Sequence, residues 1–178
     1  MITKELLSKC LPFAKNSNIE KFIGPLNLTF QKYEIDTPER IAAFLAQISH
    51  ESGSLRYVEE IASGKAYEGR TDLGNTIPGD GIRYKGRGLI QITGRYNYYQ
   101  VGLALHYDFI SYPDHLKLPG AASLSAGWFW DLRKLNELAD LNTPESFRKI
   151  TKRINGGYNG MADRIKHWKI CKKALGLD

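Results

Sequence analysis

The sequence predicts a mainly α-helical protein with a small irregular or β element near its middle. Three observations carry that expectation. Apolar residues recur at helical spacing through most of the 178 residues, two stretches open on a cap-plus-proline signal, and one glycine-rich segment interrupts the pattern. The composition, 42% hydrophobic and 25% charged, is that of a globular chain. A chain of this length buries roughly two-thirds of the surface it exposes when unfolded, so it needs no disulfide staples. Disordered, collagen-like and disulfide-dense classes are excluded.

Taken in order, Ile2, Leu6, Cys10 and Phe13 share one helical face. Ile19, Phe22, Ile23, Leu26 and Phe30 share the next, with Pro25 as a candidate kink. The clearest helix start is Asp36-Thr37-Pro38-Glu39. Thr37 can cap it, Pro38 is preset for the first turn, and Glu39 suits the positive dipole end. This helix runs through Ile41, Phe44, Leu45 and Ile48 and is expected to stop at Gly53. Residues 62–88 carry seven glycines and little apolar period, which reads as a long functional loop. Leu89-Ile90-Gln91-Ile92-Thr93 then reads as a short β run. Helices resume over Tyr96 to Leu105 and Ala121 to Leu135, the latter with Leu124, Trp128 and Leu132 about one turn apart. Thr143-Pro144-Glu145 opens another, carrying Phe147, Ile150 and Ile154 and stopped by Gly156-Gly157. Ile165, Trp168 and Leu175 mark a final basic helix.

A net charge of +6 favours anionic partners: nucleic acid, anionic lipid or an acidic bacterial envelope. The first residues carry no long apolar run, so no ordinary secretory leader is expected. No stretch approaches the roughly 18 apolar residues of a membrane span. Cys10 and Cys171 lie near opposite ends and could pair only if the termini meet; two free thiols are expected. The histidines at 50, 106, 115 and 167 lack metal-ligand spacing, and no metal or cofactor is implied.

Three places could carry chemistry. Glu51 lies about 70° from the centre of its helix's apolar stripe and at that helix's C-terminus, two features that raise a carboxyl pKa and suit a general acid. Its neighbour His50 points away from the stripe. Glu59-Glu60 follows nine residues on; an unbroken helix would hold them about 12–14 Å away, but Gly53 permits a turn that returns one of them. The segment Tyr84 to Tyr98 alternates basic, glycine, aromatic and amide residues, a mixture that suits sugar or single-strand binding.

Three ordered blocks resemble the family 19 glycoside hydrolases, the chitinase and phage-endolysin group. Ala43 to Gly53 is similar to that family's Ala-Gln-x-x-His-Glu helix. Tyr84 to Tyr98 is similar to its Tyr-x-Gly-Arg-Gly-x-x-Gln-x-Ser/Thr segment, and Ile154-Asn155-Gly156-Gly157 with Asp163-Arg164-Ile165 resembles the third block. The resemblance implies a lysozyme-like two-lobed fold with a central groove. It implies one catalytic domain over 1–178, with N-terminal helices over 1–35 and the family core over about 36–178. It also implies inverting, cofactor-free hydrolysis of a β-1,4 bond beside an N-acetylated hexosamine. Glu51 matches the proton donor. Plant chitinases have a longer insertion before the second carboxylate; in the shorter endolysin branch Glu60 is the match, with Thr93 helping to orient the attacking water. Gln91, Asn97 and Asn155 match sugar-contacting amides, Arg164 a basic residue near the groove, and His50, Tyr84 and Tyr96 complete the expected substrate contacts.

Short length, absence of a leader, basic charge and carboxylate spacing favour an endolysin-type muramidase acting on peptidoglycan. Chitin hydrolysis is the alternative, and a non-catalytic wall-glycan binder a further one. The expected partners are glycan strands rather than nucleic acid, with no stable membrane insertion. The protein is expected to be a monomer made in a bacterial cytoplasm and released to the wall through a holin pore.

Overall fold

The computed structural model describes residues 1–177. Its helices, in order, are α1 (Lys4–Cys10), α2 (Asn16–Lys32), α3 (Pro38–Glu51), α4 (Asp80–Arg83), α5 (Arg95–Leu105), α6 (Pro119–Leu132), α7 (Leu135–Ala139), α8 (Pro144–Asn155) and α9 (Met161–Ala174). Among the described residues no helix is long and apolar enough to cross a membrane.

The two cap-plus-proline signals act as expected. Thr37 Oγ1 accepts the Arg40 N–H at the start of α3, and Thr143 forms a reciprocal capping box with Ser146 at the start of α8. Gly156, at φ +76°, ends α8. Helix α2 runs through Pro25, and Thr29 Oγ1 donates to the Pro25 carbonyl at 2.9 Å.

The side chains divide between two apolar clusters, which are the two lobes. The larger gathers α1, α2, α3 and α6 to α9 around Phe44 and Trp130, whose rings meet edge to face. The smaller holds Tyr84, Ile92, Tyr98, Val101, Phe109 and Leu116. Helix α6 serves both, because Ala121, Trp128 and Phe129 pack on the small cluster while Ala122, Ala126 and Trp130 belong to the large one. Cys10 and Cys171 are buried and free, with the Cys171 thiol donating to the Cys10 carbonyl, so the two ends of the chain do meet.

Four expectations change. The 62–88 segment is ordered into 3-10 turns at Lys65–Tyr67 and Thr71–Leu73 plus α4. The run 89–93 is not a strand among the described residues: Arg87 makes single bridges to Glu59 and to Ile92, and Gly88 (φ +90°) and Gln91 (φ +58°) turn the chain between them. On α6 the stripe Leu124, Trp128 and Leu132 is not the buried face. That face is made of small residues instead, since Gly127 packs directly on Thr29 and the Tyr33 ring of α2. Phe13 likewise lies outside the core and meets the His167 ring edge on.

Candidate active site

Glu51 is the last residue of α3. Beyond it Gly53, Ser54 and Leu55 all take left-handed φ values, between +56° and +64°. The Ser52 hydroxyl accepts the Leu55 N–H, and the Ser52 carbonyl accepts those of Arg56 and Tyr57. The turn that Gly53 permits is therefore made. At Gly53 an added Cβ would approach the Tyr57 ring to 2.9 Å, so glycine is required by both φ and space.

The Glu51 side chain is 18% exposed, and its Oε1 accepts from Arg164 Nη2 at 2.5 Å. Arg164, on α9, is fully buried and otherwise satisfied. Its Nη1 donates to Gln47 Oε1 at 2.6 Å and its Nε to the Asn159 carbonyl at 3.1 Å. Gln47 Nε2 in turn donates to Thr151 Oγ1 on α8. Three helices thus fix one carboxylate, and Glu51 Oε2 has no hydrogen-bond partner among the described residues. The apolar corner expected from the sequence contains a cation. Asn155 lies in the open at the end of α8, where its Oδ1 accepts the Asn159 N–H of the loop that reaches Arg164.

Glu60 is held differently. Its backbone N–H donates to the Gly86 carbonyl, its Oε1 accepts the Gly86 N–H, and its Oε2 accepts the Tyr67 hydroxyl, each at 2.9 Å. Burial first, then the Glu60 carboxylate, push the Tyr67 pKa up, so Tyr67 stays a donor. Gly86 leaves no room for a side chain: a Cβ there would lie 2.6 Å from Gln91 Oε1 and 3.2 Å from Thr93 Oγ1. Glu60, Gln91 and Thr93 therefore converge around Gly86. Thr93 Oγ1 donates to the Gln91 carbonyl, and Asn97 Nδ2 donates to the Thr93 carbonyl at 2.7 Å. Gln91, Thr93 and Asn97 line a cavity of about 190 Å³ together with Trp128, Leu132 and Arg133. Two residues of the α6 stripe, Trp128 and Leu132, thus line this cavity. Gln91 Oε1 is buried without a partner, an acceptor still awaiting a donor.

Glu59 points elsewhere. It is ion-paired to Arg87 (3.1 Å), Lys85 (3.3 Å) and Lys117 (3.5 Å). Burial pushes its pKa up, but these cations outweigh that and hold it below the usual carboxylate range.

One expected substrate contact is corrected. Tyr84 is buried at 1% exposure, its ring edge on to Tyr98 and covered by the Arg95 guanidinium at 4.8 Å, with its hydroxyl on the Ile110 carbonyl. No face is left for a sugar. Tyr98 is buried with it. His50 is tied to α9: Nδ1 bonds Asp163 Oδ2 at 2.7 Å, and the ring fills the space where a Gly160 side chain would be. Tyr96 is exposed beside Gly74, with a free ring face. Gln47, Tyr67 and Gly86 were not singled out as site residues from the sequence. Gln47 carried a signal, a fully buried amide in an apolar helix, whereas Tyr67 sits in a loop without pattern.

The chitinase class I model of glycoside hydrolase family 19 matches residues 29–139. A Haemophilus influenzae glycosyl hydrolase family 19 domain-containing protein is 35% identical, over 95% of this chain and 94% of its own length. An Arabidopsis thaliana endochitinase is 40% identical over 84% of this chain, and the chain spans about half, 53%, of that plant relative. Among solved structures, chitinase C from Streptomyces griseus aligns with a TM-score of 0.77 at 23% identity, covering 98% of this chain and 76% of that one. A bacterial family 19 chitinase aligns at 0.76 and 22% identity, covering 99% and 96%. The family match, the bacterial relative and the two-lobed helical fold agree, and the chain belongs to glycoside hydrolase family 19.

Proposed function

We propose that the protein is an endolysin-type muramidase that hydrolyses the β-1,4 glycosidic bond of peptidoglycan with inversion at the anomeric carbon. The observation that carries the reading is a pair of carboxylates held in unlike environments. Glu51 sits on a buried arginine with one oxygen free, and Glu60 sits on neutral donors beside a hydroxyl and an amide oxygen without a partner. Inverting glycosidases need two such groups with different tasks. Glu51 Oε2 delivers the proton to the leaving oxygen while Arg164 and Gln47 fix its direction. Glu60 takes a proton from the attacking water, which the Thr93 hydroxyl helps to aim. Gln91 Oε1 accepts from the sugar, Asn97 and Asn155 supply further amide contacts, and Tyr96 offers a stacking face. The basic charge and the short connection from Glu51 to Glu60 favour a wall glycan, reached by release from the cytoplasm through a holin pore. Chitin hydrolysis is a second reading, favoured by the names of the plant and Streptomyces relatives.

Product analysis on purified peptidoglycan and on chitin oligomers tests the proposal, with the new anomer followed by NMR. Inverted reducing ends released from peptidoglycan are expected. Release from chitin alone selects the second reading, and retention of configuration removes the inverting mechanism. Glu51→Gln is expected to lower turnover by about 10³-fold or more while the protein stays folded and binds glycan.

A further inference from the structure

Arg133 closes α6 at the wall of the cavity that holds Gln91, Thr93 and Asn97. It is half-buried, and no carboxylate pairs with it among the described residues. Its Nε donates to the Arg153 carbonyl at 3.2 Å, and Arg153 Nη1 returns a bond to the Arg133 carbonyl at 2.8 Å. The Arg133 guanidinium carbon lies over the Phe129 ring, 3.5 Å from its centroid. Its Nη1 and Nη2 groups have no partner among the described residues, and Arg153 has no ion pair either. Elsewhere in this chain the half-buried or buried guanidiniums are matched: Arg87 with Glu59 and Asp114, Arg95 with Asp80, Arg164 with Glu51. Arg133 is thus the exception, and burial pushes its pKa down.

An uncompensated, partly desolvated cation costs stability unless something anionic completes it. A fork of free Nη groups backed by an aromatic ring suits a planar carboxylate bound through two hydrogen bonds. We propose that Arg133, backed by Arg153, is a specificity-determining residue that binds a carboxylate carried by the glycan. Chitin is neutral and offers none. Peptidoglycan offers two sources, the lactyl acid of an unsubstituted muramic residue and the free carboxylates of a stem peptide. This inference rests on the peptidoglycan reading for its substrate, while the arginine pair itself does not depend on that reading.

The test uses the full chain and its Arg133→Gln, Arg133→Lys and Arg153→Gln variants. The first measurement compares kcat/KM on peptidoglycan with kcat/KM on N-acetylglucosamine oligomers. Arg133→Gln is expected to lose at least tenfold more on peptidoglycan than on the neutral oligomer, a size typical of one charged hydrogen-bonded contact. Arg133→Lys should recover part of that difference, since it restores charge without the fork. Equal losses on both substrates overturn the proposal.

The second measurement is calorimetric binding to inert Glu51→Gln protein, with and without Arg133→Gln. The ligands are a muramyl disaccharide with a free lactyl carboxylate, a disaccharide-peptide, and the amidated form of each. Amidation should weaken binding when Arg133 is present and have little effect when it is absent; whichever acid shows this names the source. Insensitivity to amidation in both proteins overturns the proposal. This binding arm gives its result even if turnover proves confined to chitin, so failure of the carboxylate site and failure of the muramidase reading are separable. Should Arg133→Gln not fold, Arg153→Gln carries the same comparison.

Discussion

Glu59 and Glu60 are chemically identical neighbours to which the fold gives unlike partners. Glu59 neutralises Arg87, which is only 5% exposed, whereas Glu60 meets a backbone N–H and a phenol. Glu59→Gln is expected to cost stability, about 1–2 kcal/mol because Asp114 still pairs with Arg87, and to leave most turnover. Glu60→Gln should do the reverse, and thermal melts beside rate measurements check the pair. A second residue-scale expectation concerns His167, which sits between Ser49, Asp163, His50 and Lys166 with the Phe13 ring on its edge. Burial, opposed by Asp163, holds its pKa below the ordinary 6.5. The unfolded chain then binds more protons just below that value, so stability falls as pH drops through about 6.5. Asp163, held down first by its bond to His50, adds a loss of the same sign at lower pH, as pH falls through its depressed value. Melting temperature should therefore be lower at roughly pH 5.5 than at pH 7.5, and His167→Gln should narrow the difference. Glu51 was legible from its helix position and motif, and Arg164 as a basic residue of the third block, but the bond between them was not, because they lie 113 residues apart in the chain.

Helices α3 and α8 were legible at their first turns, since capping is a local exchange of hydrogen bonds among four residues. Helix α6 was legible as a helix and misleading as a surface. Its large apolar residues suggest a core stripe, yet close approach to α2 needs a small-residue face, so Trp128 and Leu132 are left for the cavity. Gly127→Ala tests that reading. Alanine gains up to about 1 kcal/mol in helix propensity, but its Cβ would lie 2.5 Å from the Thr29 methyl and overlap the Tyr33 ring. Overpacking costs about 1–3 kcal/mol, so a net loss in denaturant midpoint is expected despite the better helix former. The glycine-rich segment was legible as special and not as ordered. Its turns are tied by distant groups: Glu68 accepts the N–H groups of Gly79 and Gly81, and Asp80 takes a two-point bond from Arg95.

The charge of the whole molecule is unevenly placed. Residues 144–178 hold nine of the 25 Lys+Arg and three of the 19 Asp+Glu, and thus the entire net +6; the first 143 residues carry sixteen of each sign. In α9, Lys166, Lys169 and Lys173 form one exposed stripe opposite the buried Arg164. Changing these three to glutamate is expected to weaken degradation of intact wall more than cleavage of soluble oligomers, with added salt narrowing the gap. Equal losses would show that the stripe has no part in wall attachment. The sequence by itself determined the helical class, the two capped helices, the turn after Glu51 and the family, because these depend on short-range rules and contiguous motifs. Only the tertiary structure decided which carboxylate is ion-paired, that Tyr84 is core, that His50 is tied to Asp163, and that Arg133 stands unpaired at the cavity wall. Burial and charge pairing are set by residues far apart in the chain, and no spacing rule reports them.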